Sequence, residues 1–128
     1  MRRKSRSLLK KYLKGRVKAL RERPKLIKSI LDSIVDTFGD HVTVIVFGGR
    51  GCAEKLYSSE PRDLDLLVIT DLDEHSLTEK IIKIKPRTLP LDLIVVNVKS
   101  FNRRDPLTEK MLSKSIVVYD GLKIFGGS

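Results

Sequence analysis

Residues 41–70 read HVTVIVFGGRGCAEKLYSSEPRDLDLLVIT, and this stretch decides the fold prediction for the 128-residue chain. Its two ends, 41–47 and 63–70, are apolar runs rich in β-branched residues and bounded by glycine or polar residues, which predicts two strands. Between them we expect a short helix over 50–57 and a polar loop over 58–62. Because side chains alternate along a strand, Asp63 and Asp65 should share one face while Leu64 and Leu66 point into the core.

Outside this stretch, the hydrophobic spacing indicates helices alternating with strands. Helices are predicted over 5–22, from Pro24 to Gly39, from an N-cap at Ser76 with a capping box to Glu79, and over 105–113. Further strands are predicted over 91–98 and 115–119. The expected fold class is α/β or α+β, a mixed sheet of about four strands packed against helices.

Positive charge is concentrated at the N-terminus. Residues 1–23 contain eleven basic residues and one acidic residue, and they account for the whole net charge of +10. The chain is therefore predicted to consist of a basic N-terminal helical arm, 1–23, and a folded domain, 24–128. The arm is either a solvated helical face or an electrostatic contact to an acidic partner such as RNA, which it would reach through residues 2–23.

Composition narrows the protein class further. No apolar run approaches the length of a membrane span, the basic N-terminus lacks a secretory signal pattern, and Cys52 is the single cysteine. These features predict a cytoplasmic protein without membrane association. The absence of Gln, with only two Asn among many charged residues, is a thermophile-like composition.

Three acidic residues lie in otherwise apolar strands. Asp63 and Asp65 open the second predicted strand, and Asp92 lies in the third, LDLIVV over 91–96. An ionised carboxylate in such surroundings is costly unless it is paired or metal-bound, and Mg²⁺ prefers oxygen ligands of this kind. The pattern predicts a divalent cation between Asp63 and Asp65, and it predicts that Asp92 is either paired or metal-bound.

The order of these features resembles the DNA polymerase beta-type nucleotidyltransferase superfamily. Its signature is a hydrophobic residue with Gly-[Gly/Ser], a spacer of nine to thirteen residues, Asp-hydrophobic-[Asp/Glu]-hydrophobic, and a third acid on a later strand. Phe47-Gly48-Gly49, Asp63-Leu64-Asp65-Leu66 and Asp92 match each element, and the wording FGGR resembles the minimal, stand-alone branch. Two residues depart from that branch: Gly49 stands where Ser is commoner, and Arg62 stands where Ser usually precedes the first Asp.

The resemblance implies a role for each matched residue. Gly48 and Gly49 would let backbone N–H groups approach the triphosphate, and Arg50 would contact phosphate. Asp63 and Asp65 would bind the metal that bridges the phosphates, while Asp92 would bind a second metal and help to activate the attacking hydroxyl.

The implied activity is Mg²⁺-dependent transfer of a nucleoside monophosphate, AMP from ATP in the leading version, to a hydroxyl of an acceptor. Mn²⁺ could replace Mg²⁺, and another nucleoside triphosphate could replace ATP. Minimal nucleotidyltransferases frequently modify a helical HEPN-type partner protein in toxin–antitoxin pairs, so a partner protein is the leading acceptor. Two alternatives stay open: a tRNA- or RNA-binding nucleotidyltransferase that uses the basic arm, and a non-catalytic nucleotide-binding module.

Overall fold

The structure, a computed structural model, describes residues 21–59 and 63–126. Helix α1 is described over 21–38, and it is followed by strand β1 (Val42–Phe47), strand β2 (Leu64–Thr70) and helix α2 (Glu74–Ile84). Strand β3 (Leu91–Asn97), helix α3 (Pro106–Leu112) and strand β4 (Ser115–Asp120) complete the fold. The predicted helix over 5–22 lies almost wholly outside the described residues.

The four strands form one mixed sheet in the order β3-β2-β1-β4. Strand β1 pairs antiparallel with both β2 and β4, whereas β2 and β3 run parallel and are joined through α2. The prediction of a mixed four-stranded sheet with helices is confirmed.

One face of the sheet carries the main core. Helix α2 contributes Leu77 and Ile81 to it, and helix α1 contributes Ile27, Ile30, Leu31, Ile34 and Phe38. They pack on inward-facing residues of the strands, among them Leu64 and Leu66, which are fully buried. The predicted inward direction of these two leucines is therefore confirmed.

The opposite face carries a smaller cluster around Ile45, Leu67 and Ile69. It is covered in part by Leu112 at the end of α3 and by the segment after β4, including Phe125. Because this face is less completely covered than the first, polar side chains at its margin remain accessible.

Two predicted helix starts are wrong. Arg21, Glu22 and Arg23 are already helical, so Pro24 lies inside α1 and does not begin a helix. Helix α2 starts at Glu74, and its N-cap is Asp73, whose carboxylate accepts the backbone N–H of Ser76 at 2.9 Å. Asp73 precedes Ser76 by three residues and has an extended backbone, so it captures the first free N–H groups before Ser76 can act as a cap.

The other differences are small. A single 3-10 turn, Gly48–Arg50, followed by turns replaces the helix expected over 50–57. Strand ends agree with the predicted ranges to within one residue. No helix in the described part of the chain combines the length and the apolar character needed to cross a membrane.

Candidate active site

The candidate site lies at one end of the sheet, where the ends of the four strands lie side by side. In register, Asp92 of β3 lies beside Asp65 of β2, Asp65 lies beside Phe47 of β1, and Phe47 lies beside Ser115 of β4. Neighbouring strands are about 4.8 Å apart, so this row spans the sheet in three steps. Across the sheet, the site therefore begins with the carboxylates on β3 and β2, continues with the glycine turn after β1, and ends at the α3–β4 junction.

All of these groups lie on the face of the smaller cluster. Asp65 alternates with Leu66 and shares its face with Leu67, which belongs to that cluster. Asp92 shares its face with Val96 in the same way. The sequence prediction that Asp65 faces away from the main core is thus confirmed, and the structure places Asp92 on the same face.

The electrostatics of the acids centre on Asp65. Burial raises the pKa of its carboxyl above the ordinary value of 3.8, and a hydrogen bond and charge repulsion from Asp92, with a smaller repulsion from Asp63, raise it further. Asp65 and Asp92 are register partners, so their carboxylates are neighbours across the sheet, and Asp63 precedes Asp65 by two residues on the same strand end. Like charges held together in this way favour uptake of a proton or a cation.

Asp92 is more open than its sequence suggested. It is exposed, as is Ile94 two residues further along the same face, because β3 is an edge strand and this end of its outer face is uncovered. The expectation that burial makes an ionised Asp92 costly is therefore wrong. The cost of ionising Asp92 therefore comes from the neighbouring charge of its register partner Asp65 rather than from burial.

The three carboxylates are not a preformed metal cage. Within residues 21–59 and 63–126, no three His, Cys, Asp or Glu side chains converge closely enough to hold a metal ion. Asp63 is exposed and precedes the first residue of β2. Asp63, Asp65 and Asp92 lie at the same end of the sheet, and their oxygens are of the kind that a hard divalent cation prefers, but binding would require side-chain rearrangement.

Gly48 forms the wall of the site next to Asp65. Its φ of +68° is a conformation that favours glycine, and a Cβ at this position would overlap Oδ2 of Asp65 and lie 3.3 Å from its Cγ. The main chain after β1 thus passes directly against the Asp65 carboxylate.

Arg50 is buried rather than presented to the site. Its side chain is 1% exposed, and Nη1 donates to the backbone carbonyl oxygens of Lys55 (3.3 Å), Leu56 (3.4 Å) and Ser58 (2.7 Å). This geometry gives Arg50 a structural role in holding the 50–58 loop, contrary to the expectation of a phosphate contact. A guanidinium suits this role because its several N–H donors, in a fixed planar arrangement, can bind backbone carbonyl groups that have no helical hydrogen-bond partner.

A cleft of about 430 Å³ opens beside Gly48 on the same sheet face. Its apolar lining comes from Phe47, Leu107 and Met111, and its basic lining comes from Lys110 and Lys114. Both lysines are exposed, and Leu107 is 66% exposed, which is high for a leucine.

The cleft is the part of the site that the sequence did not reveal. The four-residue spacing of Lys110 and Lys114 was visible, but their position depends on β4 pairing with β1. Those two strands are separated by about 70 residues, and nothing in the local pattern indicates the pairing.

Comparison with known proteins adds little to this geometry. The sequence matches no protein-family model and gives no match to a curated protein. A solved structure from Sulfolobus solfataricus described as a "putative nucleotidyltransferase" is similar at 16% identity, with 80% of this chain and 84% of that chain covered and a TM-score of 0.49. Similarity at this level establishes neither a common fold nor an activity, so the functional assignment depends on the chain's own residues.

Proposed function

We propose that the chain is a nucleotidyltransferase that transfers a nucleoside monophosphate, AMP from ATP in the leading version, to a hydroxyl of an acceptor. One observation carries the proposal: Asp65 and Asp92 are register partners on neighbouring parallel strands, and the Asp65 carboxylate lies directly against the Gly48 turn. In this arrangement carboxylates and an open backbone turn face the same space, as binding of a cation and a phosphate chain requires.

In the proposed reaction, the acceptor oxygen forms a bond to the α-phosphorus of the triphosphate, and the bond from that phosphorus to the bridging oxygen breaks. Pyrophosphate leaves, and the hydroxyl proton passes to a carboxylate. Asp92 is our candidate acceptor of that proton because it is the exposed member of the pair.

Asp63, Asp65 and Asp92 would hold Mg²⁺, with Mn²⁺ as an alternative, and the ion would neutralise the phosphate charge that develops during transfer. Burial is the main cause of the raised pKa of Asp65, and repulsion from Asp92 and Asp63 adds to it; a bound cation would relieve that repulsion. Gly48 and Gly49 would contribute backbone contacts to the phosphates, and Arg50 would keep the following loop in place.

We propose a helical HEPN-type partner protein as the acceptor, in line with the resemblance to minimal nucleotidyltransferases. RNA is the second candidate, and the concentration of basic residues in 2–23 favours it. Both acceptors are macromolecules, so one experiment can distinguish them.

The experiment compares ATP labelled at the α-phosphate with ATP labelled at the γ-phosphate, each incubated with Mg²⁺, the protein and a lysate of the source cells. The proposal predicts that only the α-label enters macromolecules and that Asp65→Asn abolishes the transfer. Protease sensitivity of the labelled product would indicate a protein acceptor, and ribonuclease sensitivity an RNA acceptor. Transfer of the γ-label, or undiminished transfer by Asp65→Asn, would refute the proposed reaction.

A further inference from the structure

The cleft beside Gly48 adjoins the carboxylates but is chemically different from them. Among residues 21–59 and 63–126, its lining includes the two lysines Lys110 and Lys114 and no acid. The acids occupy the β2–β3 half of the sheet edge and the lysines occupy the β1–β4 half. A ligand that lies across this end of the sheet would therefore contact carboxylates, which can bind a cation, on one side and two lysines on the other.

The two halves are held in a defined relation by the backbone. Lys114 immediately precedes Ser115, which pairs with Phe47, and Phe47 pairs with Asp65. Two strand spacings, about 10 Å, thus separate the main chains at Asp65 and Ser115.

A second contact fixes the lysine end to the glycine turn. A Cβ on Gly51 would overlap the carbonyl oxygen of Lys114, so the main chain at Lys114 packs directly on the loop that follows Gly48. The backbone of Lys114 is therefore held in place next to the loop that begins at Gly48, whatever conformation its side chain adopts.

We infer that Lys110 and Lys114 bind the phosphate chain of the nucleoside triphosphate, whose base or ribose rests on the apolar lining of the cleft. This inference rests on the proposed function and adds to it a pair of substrate-binding residues. Charge complementarity favours the assignment, because a triphosphate carries several negative charges and the cleft lining carries two positive ones. The apolar floor of Leu107 and Met111 suits the flat face of a base, which accounts for the unusual exposure of Leu107.

The test is calorimetric titration of the full chain with ATP in the presence of Mg²⁺. We expect the double variant Lys110→Gln/Lys114→Gln to bind ATP about tenfold to a hundredfold more weakly, the decrease that follows from removing charged hydrogen bonds. Lys110→Arg/Lys114→Arg should retain most of the affinity because it retains the charge.

A matched control is Lys80→Gln/Lys83→Gln, which removes the same charge from exposed positions on α2, the helix that packs on the other face of the sheet. It should bind ATP like the unaltered protein. If the unaltered protein binds ATP and the Lys110→Gln/Lys114→Gln variant binds it equally well, or no more weakly than the control, the inference is wrong and the proposed function stands. If the unaltered protein binds no triphosphate, the proposed function fails and the inference fails with it.

Discussion

Asp65 is the residue on which the electrostatics of the site depend. It is half-buried and is the register partner of Asp92, and burial followed by the neighbouring Asp92 carboxylate raises the pKa of its carboxyl. A group whose pKa is higher in the folded protein than in the unfolded chain lowers stability once it ionises. In the absence of a cation, Asp65 is therefore a local source of instability.

We predict that Asp65→Asn raises the melting temperature of the metal-free protein near neutral pH. The gain should be absent well below pH 3.8, where both proteins are uncharged at this position, and should appear as the pH rises through the raised pKa of Asp65. The measurement is thermal unfolding against pH in EDTA. A variant that is less stable than the unaltered protein at neutral pH would show that Asp65 is a structural residue.

Asp71→Asn is the matched control for that experiment. Asp71 follows the other end of β2, where it pairs with Nδ1 of His41 at 2.9 Å and is exposed. Removing its charge should not reproduce the stabilisation, because it loses an attractive partner rather than a repulsive one.

At the scale of the elements, α2 separates what the sequence predicted from what only the structure revealed. Its existence was predicted from the capping-box pattern of Ser76 and Glu79, and the structure shows that it buries Leu77 and Ile81. The first residue of α2 could not be predicted, because Asp73 and Ser76 are both good N-cap residues. The sequence does not show which of them has the extended backbone of an N-cap. The structure assigns the cap to Asp73.

This assignment predicts that Asp73→Ala lowers the melting temperature more than Ser76→Ala does. Asp73 supplies the accepting carboxylate, whereas Ser76 supplies a backbone N–H that alanine retains. The hydrogen bonds from Ser76 hold the pKa of Asp73 below 3.8, so its stabilising effect should be present above that pH and disappear on acidification. The reverse order of the two variants would restore Ser76 as the cap.

The site shows the same division. Periodicity placed Asp65 and Leu66 on opposite faces, because alternation along a strand is a local property. The burial of Arg50 depends on the backbone carbonyl groups of Lys55, Leu56 and Ser58, which its own loop directs inward. No local sequence pattern predicts that loop conformation. The exposure of Asp92 likewise depended on β3 being an edge strand, which follows from strand order rather than from the apolar run.

For the whole molecule, the unequal distribution of charge is the main feature to explain. Residues 24–128 are formally neutral, so the net charge of +10 resides in 1–23. Arg23 is an exception within this segment: it is only 8% exposed, and its Nε has no hydrogen-bond partner among the residues that the structure describes, so it does not belong to an accessible basic surface. A truncation at Pro24 would cut α1 and remove this buried residue, so charge neutralisation is the better experiment.

If the arm binds RNA, neutralising Lys10, Lys11, Lys14 and Lys18 to Gln should weaken binding and flatten its salt dependence. For single strands, the slope of log affinity against log salt should become shallower by about 0.7 for each RNA phosphate that the protein no longer neutralises. The measurement is RNA binding by the full chain from low to moderate salt, with Lys80→Gln/Lys83→Gln as control. Equal binding and equal slopes for both variants would exclude the arm as an RNA-binding segment and leave a partner protein as the acceptor.

The central claim is that the carboxylates of β2 and β3 bind a nucleoside triphosphate through a divalent cation. Its most direct test is the melting temperature of the full chain with ATP in Mg²⁺ and in EDTA, because a ligand that binds only the folded state stabilises it by about 2.7 kcal/mol at a hundredfold excess over Kd. We predict that ATP raises the melting temperature in Mg²⁺, that EDTA removes most of the rise, and that Asp65→Asn abolishes it while Asp71→Asn retains it. An equal rise in EDTA, or a full rise in Asp65→Asn with Mg²⁺, would contradict the claim.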